Sequence, residues 1–149
     1  DGPVMSIERF RTIGETLAGA GVRRVIFSFL DLYGKVKTRN KRLALGIVDP
    51  PLEIKRQYAV ELAAAAAQMG FSPESCSESL ETVAGIVPSA CIDGARLSCL
   101  AGESASLMKD PGQRSACRCT MSRDIGSYRM MPCPHGCLYC YANPDIGLI

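Results

Sequence analysis

A chain of 149 residues that is 47% hydrophobic and 21% charged has the balance of an ordinary globular protein with a core, which excludes a disordered or fibrous segment. Its net charge of +2 argues against a surface devoted to nucleic acid. No run nears the ~20 apolar residues of a membrane span, and no basic stretch followed by an apolar signal core opens the chain, so the expectation is a cytoplasmic protein with reduced thiols.

In chain order, Ile7, Phe10, Ile13 and Leu17 stand at helical spacing behind Ser6, and Gly19 and Gly21 follow; this predicts a helix over residues 6–18 with Ser6 as its cap. Val25 to Leu30 is a short apolar run rich in β-favouring residues, predicting a strand buried on both faces. Asp31 to Asn40 reads as a polar loop, and Lys35, Lys37, Arg39, Lys41 and Arg42 as a solvated basic stretch. A second helix is expected between Asp49, as cap, with Pro50 and Pro51 at its start, and Gly70 as its stop. The alanines Ala63 to Ala67 favour helix and close packing. Beyond Gly70, Ser77 to Val87 suggests a short helix ended by Pro88, and Asp93 to Met108 contains another. This rhythm predicts an α/β domain with parallel strands over residues 1–108, with function at the loops after strand ends. From Lys109 onward Gly, Pro, Ser and Cys accumulate without periodicity, so residues 109–149 are expected to be organised by a metal centre.

Eight cysteines are present, none before Cys76, and five of them fall between Cys117 and Cys140. Such clustering in a reducing compartment points to metal or redox chemistry ahead of disulfides. Cys133, Cys137 and Cys140 are spaced C-x3-C-x2-C, which on a compact loop lets three thiolates reach three corners of a cubane and leaves the fourth iron open to a small molecule. The spacing resembles that of radical S-adenosylmethionine enzymes, in which the open iron binds the cofactor's amino and carboxylate groups; Tyr139, the aromatic before the last cysteine, fits the same signature. Zinc on these thiolates is the alternative, and His135, the only histidine, is expected to support the loop without ligating metal.

Several motifs together resemble one bacterial family, domain of unknown function eighteen-forty-eight. They are Ser28-Phe29-Leu30-Asp31-x-Tyr33, Cys76-x-Glu78, Cys91-Ile92-Asp93, Gln113-Arg114, Cys117-x-Cys119, Ser122-x-Asp124-Ile125-Gly126-x-Tyr128 and the final CPHGCLYCYAN. The tail Tyr139-Cys140-Tyr141-Ala142 is also similar to the cluster loop of spore photoproduct lyase-like radical enzymes. Family members are longer, and the chain resembles their C-terminal half. The resemblance implies part of a (β/α) barrel-like domain bearing a [4Fe–4S] cluster. It implies S-adenosylmethionine as cofactor, an electron donor as partner, and a hydrogen-abstracting enzyme in the full-length protein whose substrate the sequence does not specify.

Of the other cysteines, Cys76, Cys91, Cys117 and Cys119 coincide with these motifs and are candidates for a second metal site, either another iron–sulfur cluster or zinc. The alternative is that Cys76 and Cys91 are small buried hydrophobes and only the Cys117-x-Cys119 pair contacts metal. Cys99 falls outside the motifs and is expected in the core. Asp124 and Tyr128 lie close enough in sequence to the triad to contact a cofactor, although Asp124 also suits a turn. Arg114 suits either a cofactor carboxylate or a loop cap. The alternative function is a non-catalytic zinc or iron–sulfur protein whose metal folds the tail for partner binding.

Overall fold

The structure, a computed structural model, describes residues 6–123, 125–127, 130, 131, 133, 135 and 137–140. It is a mixed α/β arrangement of four helices and a three-stranded parallel sheet: α1 (Ile7–Gly19), β1 (Arg24–Phe27), α2 (Gly34–Leu43), α3 (Leu52–Gln68), β2 (Ser72–Cys76), β3 (Val87–Ser89) and α4 (Gly94–Ala101). Sheet order follows sequence order, β1-β2-β3, with Arg24 opposite Ser72 and Glu74 opposite Val87. Among the described residues the sheet is open, so they form no closed barrel. Among the same residues no helix is long and apolar enough to cross a membrane. The chain divides into two compact units, Asp1–Phe29 with Pro51–Ser122, and Leu30–Pro50 with Arg123–Ile149.

In the first unit, α1 starts as its sequence indicates: Ser6 Oγ accepts the Arg9 N–H at 3.2 Å, satisfying one of the amides a helix N-terminus leaves unpaired. Its Phe10 ring lies 6.4 Å from that of Phe71. The expected strand is shorter than its apolar run, and its residues are half-buried instead of covered on both faces. The expected cap Asp49 is not used by α3; Pro51 is the N-cap, without a side-chain bond. After α3 the chain turns at Gly70, whose φ of 74° lies in the left-handed region that glycine adopts freely.

Two strands, β2 and β3, stand where no strand was expected, and their prolines explain why both were hidden. Ser72 donates its N–H to Arg23 O at 2.7 Å, so the next position, Pro73, would face the other side, where pairing with β3 begins only at Glu74; the missing N–H of Pro73 therefore costs no ladder bond. Pro88 sits on the edge strand, where it is tolerated. The helix expected over 77–87 is replaced by turns. Leu80, Val83 and Ile86 recur every third residue because consecutive turns, Val83 N–H to Leu80 O (2.9 Å) and Ile86 N–H to Val83 O (3.3 Å), each aim one apolar side chain inward. These three pack with Ala59 of α3 as a buried cluster flanked by Phe27, Phe29 and Ala63.

Strand alternation gives the sheet a second, polar face. On it Arg24 Nε donates to Glu74 Oε1 at 2.5 Å, Arg24 Nη2 to Ser89 Oγ at 2.8 Å, and Ser89 Oγ to the other Glu74 oxygen, tying the three strands together. The hydrogen bond from Arg24 holds the Glu74 carboxyl below the usual carboxylate range against the opposing effect of burial, with help from Ser89. A depressed folded-state pKa stabilises the fold above the unfolded value of about 4.3, and that contribution disappears as pH falls through the folded value. Acidification below about pH 4 is thus expected to lower the melting temperature of the wild type more steeply than that of Glu74→Gln; parallel curves would contradict this.

In the second unit, residues expected to form a polar loop instead form α2. Val36 and Arg39 are buried, with relative exposures of 0% and 5%, and with Asn40 and Leu43 they complete an i, i+3, i+4, i+7 pattern that the surrounding lysines obscure. Lys41 and Arg42 lie in the last turn, complementing the helix dipole. The Asn40 side chain then clamps the following loop, donating to Ile47 O at 2.5 Å and accepting the Ile47 N–H at 3.0 Å.

Candidate metal centre

Three loops of the first unit converge at the carboxyl ends of β2 and β3, where open α/β sheets place their ligands. Cys76 is the last residue of β2, and alternation puts it on the same face as Glu74. Cys91 lies two residues beyond β3, and Cys117 and Cys119 lie in the segment after α4. The Sγ atoms of Cys76, Cys91 and Cys119 all lie within 4.8 Å of one another. Cys76, Cys117 and Cys119 are buried, whereas Cys91 is exposed.

Backbone bonds fix this convergence. Thr120 donates both its N–H (2.9 Å) and its Oγ1 hydroxyl (3.2 Å) to Ile92 O, and the Ile92 N–H donates back to Cys119 Sγ at 3.4 Å. The Cys119 N–H donates to Cys117 Sγ at 3.5 Å, and Asp110 N–H to Cys119 O at 3.0 Å beside an antiparallel bridge between Lys109 and Thr120. This close approach requires Gly94, the first residue of α4: a Cβ there would lie 1.9 Å from Ser106 O and 3.0 Å from Thr120 Oγ1. Gly94→Ala is accordingly expected to cost about 1–3 kcal/mol, seen as a lower chemical-denaturation midpoint, while Ala95→Gly, at an exposed helical position, costs at most ~1 kcal/mol.

The thiols constrain one another electrostatically. Burial, reinforced by Cys91 and then Cys119, pushes the Cys76 thiol up to about 11, and burial likewise raises Cys117. Burial also opposes ionisation of Cys119, but the Ile92 N–H and the neighbouring Cys117 and Cys91 outweigh it and hold its thiol below the ordinary value. Three thiolates this close repel one another unless a cation lies among them, and a cation deprotonates the thiols that ligate it. The group can therefore hold a metal ion.

The second unit carries the triad. Cys133 is exposed, and Cys137 and Cys140 are half-buried. The Cys140 N–H bonds Cys137 O at 3.0 Å, making a tight turn. The buried Arg39 guanidinium donates to Leu138 O at 3.3 Å and to Cys140 O at 2.5 Å. Sequence reasoning assigned Arg39 to a solvated stretch and so missed its role; the helical spacing of Val36, Arg39 and Leu43 was the available signal. The triad's sulfurs do not form a close group of the kind made by Cys76, Cys91 and Cys119 among the described residues. Tyr139 and His135 are exposed, and Arg114 lies in the turn leading to Cys117, whose N–H it accepts at 3.0 Å. Asp124 and Tyr128 fall outside the described residues. Cys99, expected in the core, is exposed on α4, because that short helix buries only its first residue, Gly94.

A small parallel α/β sheet whose strand ends gather cysteines able to hold a metal ion defines the class of protein. Within that class the chain belongs to the family described as Domain of unknown function (DUF1848), which matches it over residues 3–142. No curated protein and no solved structure matches it.

Proposed function

We propose that this chain is a radical S-adenosylmethionine-type protein, or the cluster-bearing part of such an enzyme, with a [4Fe–4S] cluster on Cys133, Cys137 and Cys140. The observation that carries the reading is the C-x3-C-x2-C spacing with Tyr139 before the last cysteine, on a turn held from a buried arginine. The donor set fits the group: soft thiolates suit iron–sulfur clusters, and three of them leave one iron without a protein ligand. The similarity of Tyr139-Cys140-Tyr141-Ala142 to spore photoproduct lyase-like cluster loops supports the same reading, as do three parallel strands in sequence order for part of a (β/α) barrel.

When bound, the cluster and S-adenosylmethionine supply one-electron chemistry that ends in hydrogen abstraction from a substrate, with a separate electron donor as partner. The chain's own residues bind and orient. Arg39 engages the carbonyls of Leu138 and Cys140 in charge-assisted bonds and so sets the direction of the Cys140 side chain. Tyr139 offers an exposed ring to pack beside the cofactor, and Arg114, Asp124 and Tyr128 are proposed polar contacts to it. The test is composition after anaerobic purification: iron with equimolar acid-labile sulfide is expected, and protein carrying zinc without sulfide would contradict the proposal.

A further inference from the structure

We infer that Cys76, Cys91, Cys117 and Cys119 hold a single zinc ion as a closed four-thiolate site that clamps the carboxyl end of the sheet, independently of the triad. Distance distinguishes one ion from a cluster. A tetrahedral zinc with Zn–S bonds of ~2.3 Å holds its sulfurs about 3.8 Å apart, and the Sγ atoms of Cys76, Cys91 and Cys119 already lie within 4.8 Å of one another. A cubane would spread them over separate irons. Modest side-chain adjustment closes the remaining gap around one ion.

Cys117 supplies the fourth ligand. Cys117 and Cys119 are buried while Arg118 between them is exposed, the alternation of an extended segment that turns residues i and i+2 to the same side. The Cys117 sulfur accepts the Cys119 N–H at 3.5 Å as the Cys119 sulfur accepts the Ile92 N–H at 3.4 Å. Amide donors aimed at sulfur stabilise the thiolate form and orient it, the outer support that metal-bound ligands ordinarily receive. A purely apolar role does not account for the group: Cys91 is exposed, and the buried apolar cluster is built from Ala59, Leu80, Val83 and Ile86. Backbone strain lies beside the first ligand, since Ser77 follows Cys76 with φ at 59°, a conformation non-glycine residues keep only where their surroundings enforce it.

The consequence is structural. Residues 102–123 contain no helix or strand of their own beyond the Lys109–Thr120 bridge, and zinc would tie this segment to the ends of β2 and β3. Binding is a ligand exchange without electron transfer: each thiol releases its proton as its sulfur joins the ion.

The decisive protein is the triple variant Cys133→Ala, Cys137→Ala, Cys140→Ala of this chain, purified under reducing conditions with zinc in the growth medium. One zinc per chain without acid-labile sulfide is expected. In that background Cys91→Ala should lose the zinc and Cys91→His, which restores a zinc ligand, should keep it. Cobalt(II) in place of zinc should give the intense visible bands of tetrahedral thiolate coordination. Folded triple variant free of zinc, iron with sulfide in it, zinc retained in Cys91→Ala, or disulfides among the four cysteines would each overturn the proposal. Should the triple variant not fold, X-ray absorption at the zinc edge of the wild-type chain decides: a shell of four sulfurs at ~2.3 Å is expected, and absent zinc or a shell containing nitrogen or oxygen overturns it. Sulfide reports on the triad and zinc on this site, so the two readings fail separately.

Discussion

Single replacement of Cys133, Cys137 or Cys140 by Ala is expected to remove most iron and sulfide from anaerobically purified protein, together with its oxygen-sensitive brown colour, whereas Cys99→Ala leaves all three at wild-type levels. A cluster held by three thiolates has no redundant anchor: deleting one leaves two protein bonds and a second iron open to solvent and oxygen. Cys99 serves as the control because it is exposed on α4, so its loss creates no cavity. Retention of the cluster in Cys137→Ala together with its loss in Cys99→Ala would show that the ligands are misassigned.

Arg39→Ala is expected to lower cluster loading several-fold and to destabilise the chain by about 2–3 kcal/mol, the range for losing buried hydrogen bonds to a charged group. Arg39 is only 5% exposed, and its removal strands the carbonyls of Leu138 and Cys140 that it engages. Arg39→Lys separates charge from geometry. A lysine keeps the cation but not the planar fork that reaches two carbonyls together, so partial recovery of loading is expected. Because a general folding defect would lower zinc and iron alike, both metals are measured, and an equal loss of the two would contradict a specific role in holding the triad's loop.

Where a local signal sufficed, the fold was legible in the sequence. Ser6 and Asp93 cap α1 and α4 through their own side chains, with Asp93 accepting the Arg96 N–H at 3.1 Å, and Gly70 ends α3 through its backbone freedom. What stayed hidden depended on tertiary context. Strands β2 and β3 have the polar, proline-bearing sequences SPESC and VPS, which become strands because β1 templates β2 and β2 in turn templates β3, and because the prolines fall where no ladder bond is required. The spacing of Leu80, Val83 and Ile86 imitated a helix, yet Gly85, with φ at 84°, suits the turns actually formed, and Pro88 belongs to the edge strand that follows. Helix α2 was concealed because its buried face includes an arginine, a residue rarely buried without partners.

The site was legible in its residue types more than in its arrangement. The family resemblance singled out Cys76, Cys91, Cys117 and Cys119, and the structure gathers the sulfurs of three of them, Cys76, Cys91 and Cys119. No spacing rule could have linked Cys76 to Cys119, which meet only because β2 and the segment after α4 end at one edge. The Ile92 and Thr120 bonds that lock this meeting leave no mark in the sequence, because they run through backbone groups that every residue carries. Cys99 shows the converse error: standing outside the motifs, it was expected in the core, yet it is exposed beside Leu97 and Leu100, which are themselves 47% and 72% exposed.

An open iron on the triad is tested most directly by electron paramagnetic resonance of the reduced cluster. Adding S-adenosylmethionine is expected to shift the spectrum, because amino and carboxylate groups would become ligands of that iron. The shift should survive Tyr139→Phe and weaken in Tyr139→Ala, since the proposed role of the ring is packing. A reduced [4Fe–4S] signal that S-adenosylmethionine leaves unchanged at saturating concentration would contradict the account and leave a closed, electron-carrying or structural cluster in its place.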